Sequence, residues 1–276
     1  MPHYDLHSHS TYSDGLLDPG ALVRRAASRG VDFLALTDHD EVSGLAEARG
    51  AAMDARIALV NGSELSASWD DVTIHIVALR IDPSDVTLTR GLESIREGRR
   101  TRARRIADSL TAADVPGAYE GALKYAGTER LITRTHFARH LIEIGRARDM
   151  KDAFAKFLTR GKPGHVTHAW ATMSEAIGWI RGAGGQAVLA HPGRYKVDER
   201  DMRRLLTEFR DAGGEAIEVL SGSHTSAQTA EYARYARILG LKASSGSDYH
   251  GPGESTTDLG DLPPLPAGVV PVWSAW

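Results

Sequence analysis

Two histidines that stand one residue apart near the start of the chain are the first residues that could do chemistry. They are His7 and His9, in the segment Tyr4–Gly15. Side chains alternate between the two faces of a β-strand, so on a strand both imidazoles project to the same side. Together with a carboxylate from a nearby loop, they would form part of a metal site. The alternative is a half-buried strand whose histidines are structural, and a lone HxH pair does not decide between the two.

Further possible metal ligands fall at or near the ends of other predicted strands. The full set contains six of the twelve histidines and three carboxylates: His7, His9, Asp14, His39, Glu64, His75, His191, Asp248 and His250. In a βα-barrel the C-terminal ends of the strands converge on one face. A catalytic zinc site uses only three protein ligands and a water, so nine ligands predict two or three metal ions.

Composition places the chain among ordinary globular proteins. It has 276 residues, of which 42% are hydrophobic and 25% are charged, and this length can bury a large α/β core. We find no apolar run near 18 residues and no signal-peptide pattern, and we therefore expect a cytoplasmic protein without a membrane span. The absence of cysteine leaves imidazole and carboxylate groups as the strong metal ligands.

Strands and helices alternate along most of the sequence. Strands are predicted at about 4–9, 31–36, 57–60, 72–79, 186–190, 216–220 and 242–245. Seven strands separated mostly by helices indicate a barrel-like α/β fold. The alternation stops for about a hundred residues after the fourth strand, where helices are predicted near 94–113, 135–144 and 150–158.

The helical segment is basic, whereas the rest of the chain is acidic. Between Arg99 and His165 there are 15 Lys+Arg and 7 Asp+Glu, a net charge of +8, which leaves −11 for the remainder of a chain whose net charge is −3. This asymmetry suggests one part that binds anions and another that binds cations. We interpret residues 99–168 as an inserted helical cap for substrate binding, and residues 1–98 and 169–276 as a barrel that carries the metal site.

The motifs that carry these ligands resemble those of the PHP (polymerase and histidinol phosphatase) family. They are His7-Ser8-His9, Thr37-Asp38-His39, Gly62-Ser63-Glu64, His75, His191-Pro192 and Ser247-Asp248-Tyr249-His250. The resemblance implies a distorted (β/α)7 barrel with a phosphoesterase site of two or three metals. The insert segments Ile132–Ala138 and Gly161–Gly164 are similar to the nucleoside 3′,5′-bisphosphate phosphatase branch, some members of which also act as 5′-to-3′ exoribonucleases.

The family pattern implies three groups of metal ligands that share one bridging residue, Glu64. The groups are His7, His9, Glu64 and Asp248; then Glu64, His75 and His191; then Asp14, His39 and His250. Some relatives place a histidine at the position of Asp14, which leaves open the metal that the third group prefers. Mn²⁺ is the first choice, with Fe²⁺ or Zn²⁺ as alternatives.

Two metals about 3.5–4 Å apart can share a hydroxide and stabilise both the attacking and the leaving oxygen. We therefore predict that a hydroxide between two metals attacks phosphorus in line, with Glu64, Asp248 and His191 as catalytic residues. The general acid stays unassigned. Asp38, Asp40 and His224 are candidates, and each could equally orient a ligand histidine.

A substrate with two phosphates needs one of them held while the other reacts. Arginine suits this role because its planar guanidinium binds phosphate in a bidentate way, and Arg99 and Arg102 share one face of a predicted helix. The predicted clamp for the 5′-phosphate is Arg99, Arg102, Arg134 and His136, with Arg194 near the metals. We interpret four other histidines as structural: His3, His140, His165 and His168. Three aromatic residues, Trp69, Trp170 and Tyr195, could stack on a base of the substrate, with packing in the core or at its rim as the alternative.

The resemblance implies hydrolysis of the 3′-phosphate of nucleoside 3′,5′-bisphosphates such as adenosine 3′,5′-bisphosphate. A 5′-to-3′ exoribonuclease acting on RNA 5′ ends is a second hypothesis, since the same site could cleave a diester. A histidinol phosphatase and a non-catalytic nucleic-acid-binding module are further alternatives. Loss of metal ligands would favour the non-catalytic module, but no metal-ligand motif is missing from this sequence. We infer no membrane partner and no obligate protein partner.

Overall fold

One sheet organises the part of the chain that the computed structural model describes, residues 2–276. Its strands are β1 (Tyr4–Asp5), β2 (Phe33–Leu36), β3 (Ala58–Trp69), β4 (Val72–Leu79), β5 (Ala171–Thr172), β6 (Gln186–Leu189), β7 (Ala216–Ser221) and β8 (Lys242–Gly246). Seven of them follow the order β1-β2-β3-β4-β6-β7-β8, and the short β5 pairs beside β3.

Most connections between these strands contain helices. The α-helices are α1 (Pro19–Ser28), α2 (Leu45–Ala55), α3 (Val86–Thr111), α4 (Ala118–Ala126), α5 (Arg134–Glu143), α6 (Met150–Ala153), α7 (Met173–Gly182), α8 (Glu199–Asp211) and α9 (Ser226–Leu239). A π-helical turn, Phe154–Leu158, follows α6. Asp18 caps α1 and Pro19 occupies its first turn, and both residue types favour these positions. No helix within residues 2–276 is long and apolar enough to span a bilayer.

Strand directions depart from a regular βα-barrel at one place. Neighbouring strands are parallel except for β4, which is antiparallel to both β3 and β6. The sheet closes because the chain after β1 bonds to the chain around the end of β8: Leu6 N donates to Ser245 O and Asp248 N donates to His7 O, both at 2.9 Å. The predicted distorted α/β barrel is therefore confirmed, with β5 as an additional short strand.

The prediction that Glu64 follows the end of a short strand is wrong. β3 continues to Trp69 and pairs with β4 in an antiparallel hairpin that runs from Gly62 opposite Leu79 to Trp69 opposite Val72. Its core-facing residues, such as Leu65, are buried, while polar residues alternate with them along the strand. Because of this alternation, the middle of β3 resembles a loop in the sequence. Glu64 is thus held within a strand.

The chain divides into two compact units, one ending at Leu92 and resuming at Trp170, the other comprising Glu93–Ala169. The second unit contains a helix that we did not predict, α4, and α3 begins about eight residues before its predicted start. Apolar residues of α3 and α5, including Ile106, Leu110 and Phe137, form the core of this unit. Their burial stabilises the unit by about 1.5–3 kcal/mol for each large side chain.

Candidate metal centre

Segments from around the sheet bring all nine predicted metal ligands together in the first unit. His7 and His9 follow β1 and His39 follows β2, while Glu64 and His75 lie within the β3–β4 hairpin. His191 comes directly after β6, Asp248 and His250 follow β8, and Asp14 lies on the loop before α1. Each of these side chains has a ligand atom within 4.0 Å of another member.

Glu64 is the centre of this cluster. Its Oε1 lies 2.8 Å from His75 Nδ1 and 2.9 Å from His191 Nε2. Its Oε2 lies 2.8 Å from His39 Nδ1 and 3.4 Å from the Nε2 atoms of both His7 and His9. One carboxylate thus joins five imidazoles that come from four different segments of the chain.

A second carboxylate, that of Asp248, also contacts His7 and His9. Its Oδ1 is 3.5 Å from His7 Nε2 and 3.2 Å from His9 Nε2, and these two nitrogens are 3.1 Å apart. Two imidazole nitrogens and a carboxylate oxygen therefore converge on one point. This is the arrangement that a bound cation needs.

Asp14 forms the third part of the cluster with His250 and His39. Its Oδ1 is 3.3 Å from His250 Nε2 and 3.8 Å from His39 Nε2. His39 therefore contacts both Asp14 and Glu64, through different ring nitrogens. The structure keeps His39 in the predicted group with Asp14 and His250, and it also places the ring beside Glu64.

The donor atoms suit divalent metals. Three overlapping groups bring ligand atoms within 4.8 Å of one another: His7, His9 and Asp248; His39, Glu64 and His75; and His9, Asp14, His39 and His250. Glu64 Oε2 is buried and, although His39 Nδ1 lies 2.8 Å away, no described residue donates a hydrogen bond to it in suitable geometry. A buried carboxylate oxygen in this state is costly unless a cation compensates it. Nitrogen and oxygen ligands without sulfur fit Mn²⁺, Fe²⁺ or Zn²⁺.

The three carboxylates have pKa values well below their ordinary range, although burial acts in the opposite direction. His39 makes the largest opposing contribution for Glu64 and Asp14, and Arg194 does so for Asp248. All three side chains are therefore ionised at neutral pH. Negative charge at this place favours the binding of cations.

Four imidazoles of the cluster fall into two classes according to their pKa values. Burial lowers the pKa of His9 to about 3 and that of His75 to about 4, so both are neutral and have a free lone pair at pH 7. Burial also disfavours the charged form of His250, but Asp14 raises its pKa to about 9. His7 behaves similarly, because nearby carboxylates raise its pKa well above 6.5 against the effect of burial.

We predict that metal binding to the metal-free protein releases protons at neutral pH. An imidazole must lose its proton before it can coordinate a metal, and His250 keeps its proton up to about pH 9. Metal affinity should therefore increase as the pH rises towards 9. Calorimetric titration with Mn²⁺ in buffers of different ionisation enthalpy measures the number of protons released. A binding enthalpy that is independent of the buffer would contradict this prediction.

The three residues considered as general acids, Asp38, Asp40 and His224, all form hydrogen bonds with other groups of the protein. Asp38 accepts hydrogen bonds from Ser10 N and from the hydroxyl groups of Ser10 and Ser13, at 2.6–2.7 Å. Asp40 accepts from Ser66 N at 2.7 Å. These bonds hold the loops that carry Asp14 and His39.

His224, the third candidate, supports the turn after His191. Its Nε2 accepts from Gly193 N at 3.1 Å, and its Nδ1 lies 3.2 Å from Val219 O. Two ring nitrogens engaged with the backbone are typical of a structural role.

Glu218 is a residue of this region that sequence reasoning missed. It lies in β7 and contacts both His7 Nδ1 and the backbone amide of His191. The sequence does contain a signal for a special role, because Glu218 is the one charged residue in the apolar segment Ala216–Leu220. A charge in a buried strand is rare unless it is paired.

The three arginines predicted to bind the 5′-phosphate, Arg99, Arg102 and Arg134, belong to the second unit. Arg99 is only 4% exposed, and Arg102 Nε lies 3.5 Å from Val166 O. Burial lowers the pKa of Arg102 to well below its ordinary value, and the charges of Arg134 and Arg99 lower it further. The second unit thus holds several guanidinium groups close to one another, and such a cluster attracts anions.

Two other predicted substrate-binding residues have partners within their own units. His136 is buried, and its Nδ1 accepts a hydrogen bond from Thr133 N at 3.0 Å as part of the capping box of α5. Arg194, in the first unit, forms an ion pair with Asp248 Oδ2 and donates from Nε to Ser223 Oγ at 3.1 Å. Arg194 therefore lies beside one of the predicted metal ligands.

Two of the three aromatic residues considered above make packing or support contacts. Trp69 donates from its indole to Glu208 at 2.6 Å and stacks under Arg204. Tyr195 accepts from His75 N at 2.9 Å and donates to Ala190 O at 2.8 Å. Tyr195 thus supports the strand that carries a predicted metal ligand.

Comparisons with known proteins extend over nearly the whole chain. A family model described as PHP domain matches residues 5–222. A 3′,5′-nucleoside bisphosphate phosphatase from Chromobacterium violaceum is 50% identical over 273 residues, which cover 99% of this chain and 96% of that protein. The 5′-3′ exoribonuclease Rnm from Salmonella typhimurium is 44% identical over 275 residues, covering 99% and 93%.

A solved structure shows the same fold. It is described as an amidohydrolase from Chromobacterium violaceum with bound sulfate and no metal. Its TM-score is 0.94 at 50% sequence identity, and the match covers 98% of this chain and 94% of that one.

Proposed function

The chain belongs to the PHP family, and from this premise we propose that it removes the 3′-phosphate from nucleoside 3′,5′-bisphosphates such as adenosine 3′,5′-bisphosphate. The products are a nucleoside 5′-monophosphate and inorganic phosphate. The observation that carries the proposal is the cluster of nine oxygen and nitrogen ligands around Glu64. A relative that is 50% identical bears the name of this activity.

Two or three divalent cations, with Mn²⁺ as first choice, are the cofactors of this proposal. His7, His9, Glu64 and Asp248 would hold the first; Glu64, His75 and His191 the second; and Asp14, His39 and His250 the third. Bound there, the metals supply a nucleophile at neutral pH and polarise the phosphoryl group. Glu64, Asp248 and His191 serve as catalytic residues by fixing the positions of these ions, and the general acid for the leaving sugar oxygen stays unassigned.

Arginines then bind the phosphate that does not react. We assign this role to Arg99, Arg102 and Arg134 of the second unit, with a smaller contribution from His136, whose ring also caps α5. The surroundings of Arg102 support this assignment: burial lowers the pKa of its guanidinium and the charges of Arg134 and Arg99 lower it further, and a bound phosphate would offset that positive charge. Arg194, beside Asp248, would contact the reacting phosphate.

The second candidate is a 5′-to-3′ exoribonuclease that acts on 5′-phosphorylated RNA. It is favoured by the relative named as such an enzyme, which is 44% identical. Cleavage of a diester requires the same nucleophile and the same anchored 5′-phosphate. The two activities can therefore reside in one site.

A phosphate-release assay with the Mn²⁺-loaded protein tests the proposal. The substrates are a nucleoside 3′,5′-bisphosphate, a nucleoside 5′-monophosphate and histidinol phosphate, and nucleotide release from a 5′-phosphorylated oligoribonucleotide is followed separately. We expect turnover of the bisphosphate and little of the 5′-monophosphate. Turnover of histidinol phosphate alone would refute the proposal, and no turnover of any substrate would favour a non-catalytic module.

A further inference from the structure

Glu218 is a buried carboxylate to which the proposed function assigns no role. It lies in the middle of β7, where its neighbours are apolar, and it is 1% exposed. Burying a carboxylate costs several kcal/mol unless hydrogen bonds and charges compensate it. Its position in the sheet therefore depends on its partners.

The first partner of Glu218 is the imidazole of His7. Glu218 Oε1 is 2.6 Å from His7 Nδ1, and an ionised carboxylate can only accept a hydrogen bond. The bond therefore places a proton on Nδ1 and leaves Nε2 as the atom that faces the cluster. That nitrogen lies 3.4 Å from Glu64 Oε2 and 3.5 Å from Asp248 Oδ1.

The second partner is the backbone of His191. Glu218 Oε2 accepts from His191 N at 2.5 Å. His191 has a φ of 27° and a ψ of 56°, a region that residues with a β-carbon rarely adopt. A backbone in this region persists only where its surroundings hold it. In this conformation the ring points its Nε2 at Glu64 Oε1, 2.9 Å away.

Close packing fixes the carboxylate against His7. Gly246 of β8 lies beside both, and a β-carbon at that position would be 2.3 Å from His7 Cβ and 3.1 Å from Glu218 Oε1. There is no room for any larger residue at this point. The strands β7 and β8 therefore hold the Glu218–His7 contact in one geometry.

We propose that Glu218 is a positioning residue that sets the directions of His7 and His191 together and thereby raises the metal affinity of the centre. This proposal depends on one part of the proposed function, namely that the cluster binds metal ions. The Glu218 carboxylate contacts two predicted metal ligands that are far apart in sequence. Its Oε1 bonds to His7 and its Oε2 bonds to His191. Outer partners of ligand histidines typically contribute 10–100-fold to metal affinity.

The test compares Glu218→Gln with Asp152→Asn. Glutamine keeps the size of the side chain but replaces one acceptor oxygen with a donor NH₂, so it cannot accept both the His7 Nδ1 proton and the His191 amide proton. Asp152 is the control, because it is also a buried carboxylate that accepts from a backbone amide, that of Arg148 at 3.0 Å, but it belongs to the second unit, whereas the nine predicted ligands belong to the first. We expect Glu218→Gln to weaken Mn²⁺ and Zn²⁺ binding 10–100-fold in a competition titration with a chelator, and Asp152→Asn to change it less than threefold.

A second measurement detects the His7 proton directly and does not depend on activity. In the zinc-loaded wild-type protein, ¹⁵N-edited NMR should show a downfield proton on His7 Nδ1 that exchanges slowly with water. Glu218→Gln should shift this signal upfield or broaden it. A wild-type protein without this proton overturns the proposal, as does equal loss of metal affinity in both variants or an unchanged affinity in Glu218→Gln. A wild-type protein that binds no metal would instead refute the proposed function.

Discussion

Replacing Glu64 with glutamine should reduce turnover of the bisphosphate at least about a thousandfold. The two oxygens of Glu64 contact five imidazoles, and glutamine places an NH₂ donor against nitrogens that must offer lone pairs. Metal ions contribute several kcal/mol to phosphoryl transfer, and each 1.4 kcal/mol corresponds to a factor of ten in rate. Steady-state kinetics and elemental analysis of the purified variant measure the loss of rate and of metal.

The control for this experiment is Glu120→Gln, since Glu120 is an exposed glutamate on α4. It should keep both metal content and turnover. Added Mn²⁺ should raise the melting temperature of the wild type and of the control, because a ligand that binds only the folded state stabilises it. A Glu64→Gln protein with full metal content and wild-type turnover would show that this carboxylate is not the centre of the site.

Replacing Arg134 with alanine should affect substrates according to whether they carry a 5′-phosphate. A charge-assisted hydrogen bond contributes about 1.5–3 kcal/mol, so kcat/KM for the 3′,5′-bisphosphate should fall about 10- to 150-fold. The corresponding 3′-monophosphate, which lacks the anchored group, should lose less than about threefold. The measurement is a comparison of kcat/KM for this pair of substrates.

Arg100→Ala provides a charge-matched control for the clamp. Arg100 is exposed on α3 and forms an ion pair with Glu97 at 2.7 Å, so its removal changes the net charge equally without touching the proposed phosphate site. It should leave the ratio between the two substrates unchanged. Equal losses on both substrates in Arg134→Ala would argue against the clamp.

The residues of the metal cluster could be predicted from the sequence because all of them except Asp14 lie in or just after a strand. Strands of one barrel must bring their ends together, so ligands such as His7, His39 and Asp248 meet once the strands are recognised. Their chemical role can also be predicted, because ionisable side chains are rarely buried unless they are paired. No knowledge of side-chain conformation is needed for this step.

Other features depend on partners that are distant in the sequence. The extent of β3 follows from its pairing with β4, and polar residues in it face the site instead of solvent. The role of Glu218 follows from where His7 and His191 place their atoms, which no local pattern contains. Likewise, the contact between His39 and Glu64, which adds to its contact with Asp14, depends on where two separate strands place their side chains.

The pairing of the first strand with the last has a consequence for synthesis on the ribosome. His7 and His9 come from one end of the chain, while Asp248 and His250 come from the other, and the sheet closes only when Leu6 bonds to Ser245. A growing chain folds from its N-terminus as it emerges, but here the emerging barrel lacks its closing strand and half of the shell around His7. The two ligand groups that contain Asp248 and His250 can therefore be completed only after residue 250 has left the exit tunnel. A chain that stops before β8 loses barrel closure and these two ligands in the same step.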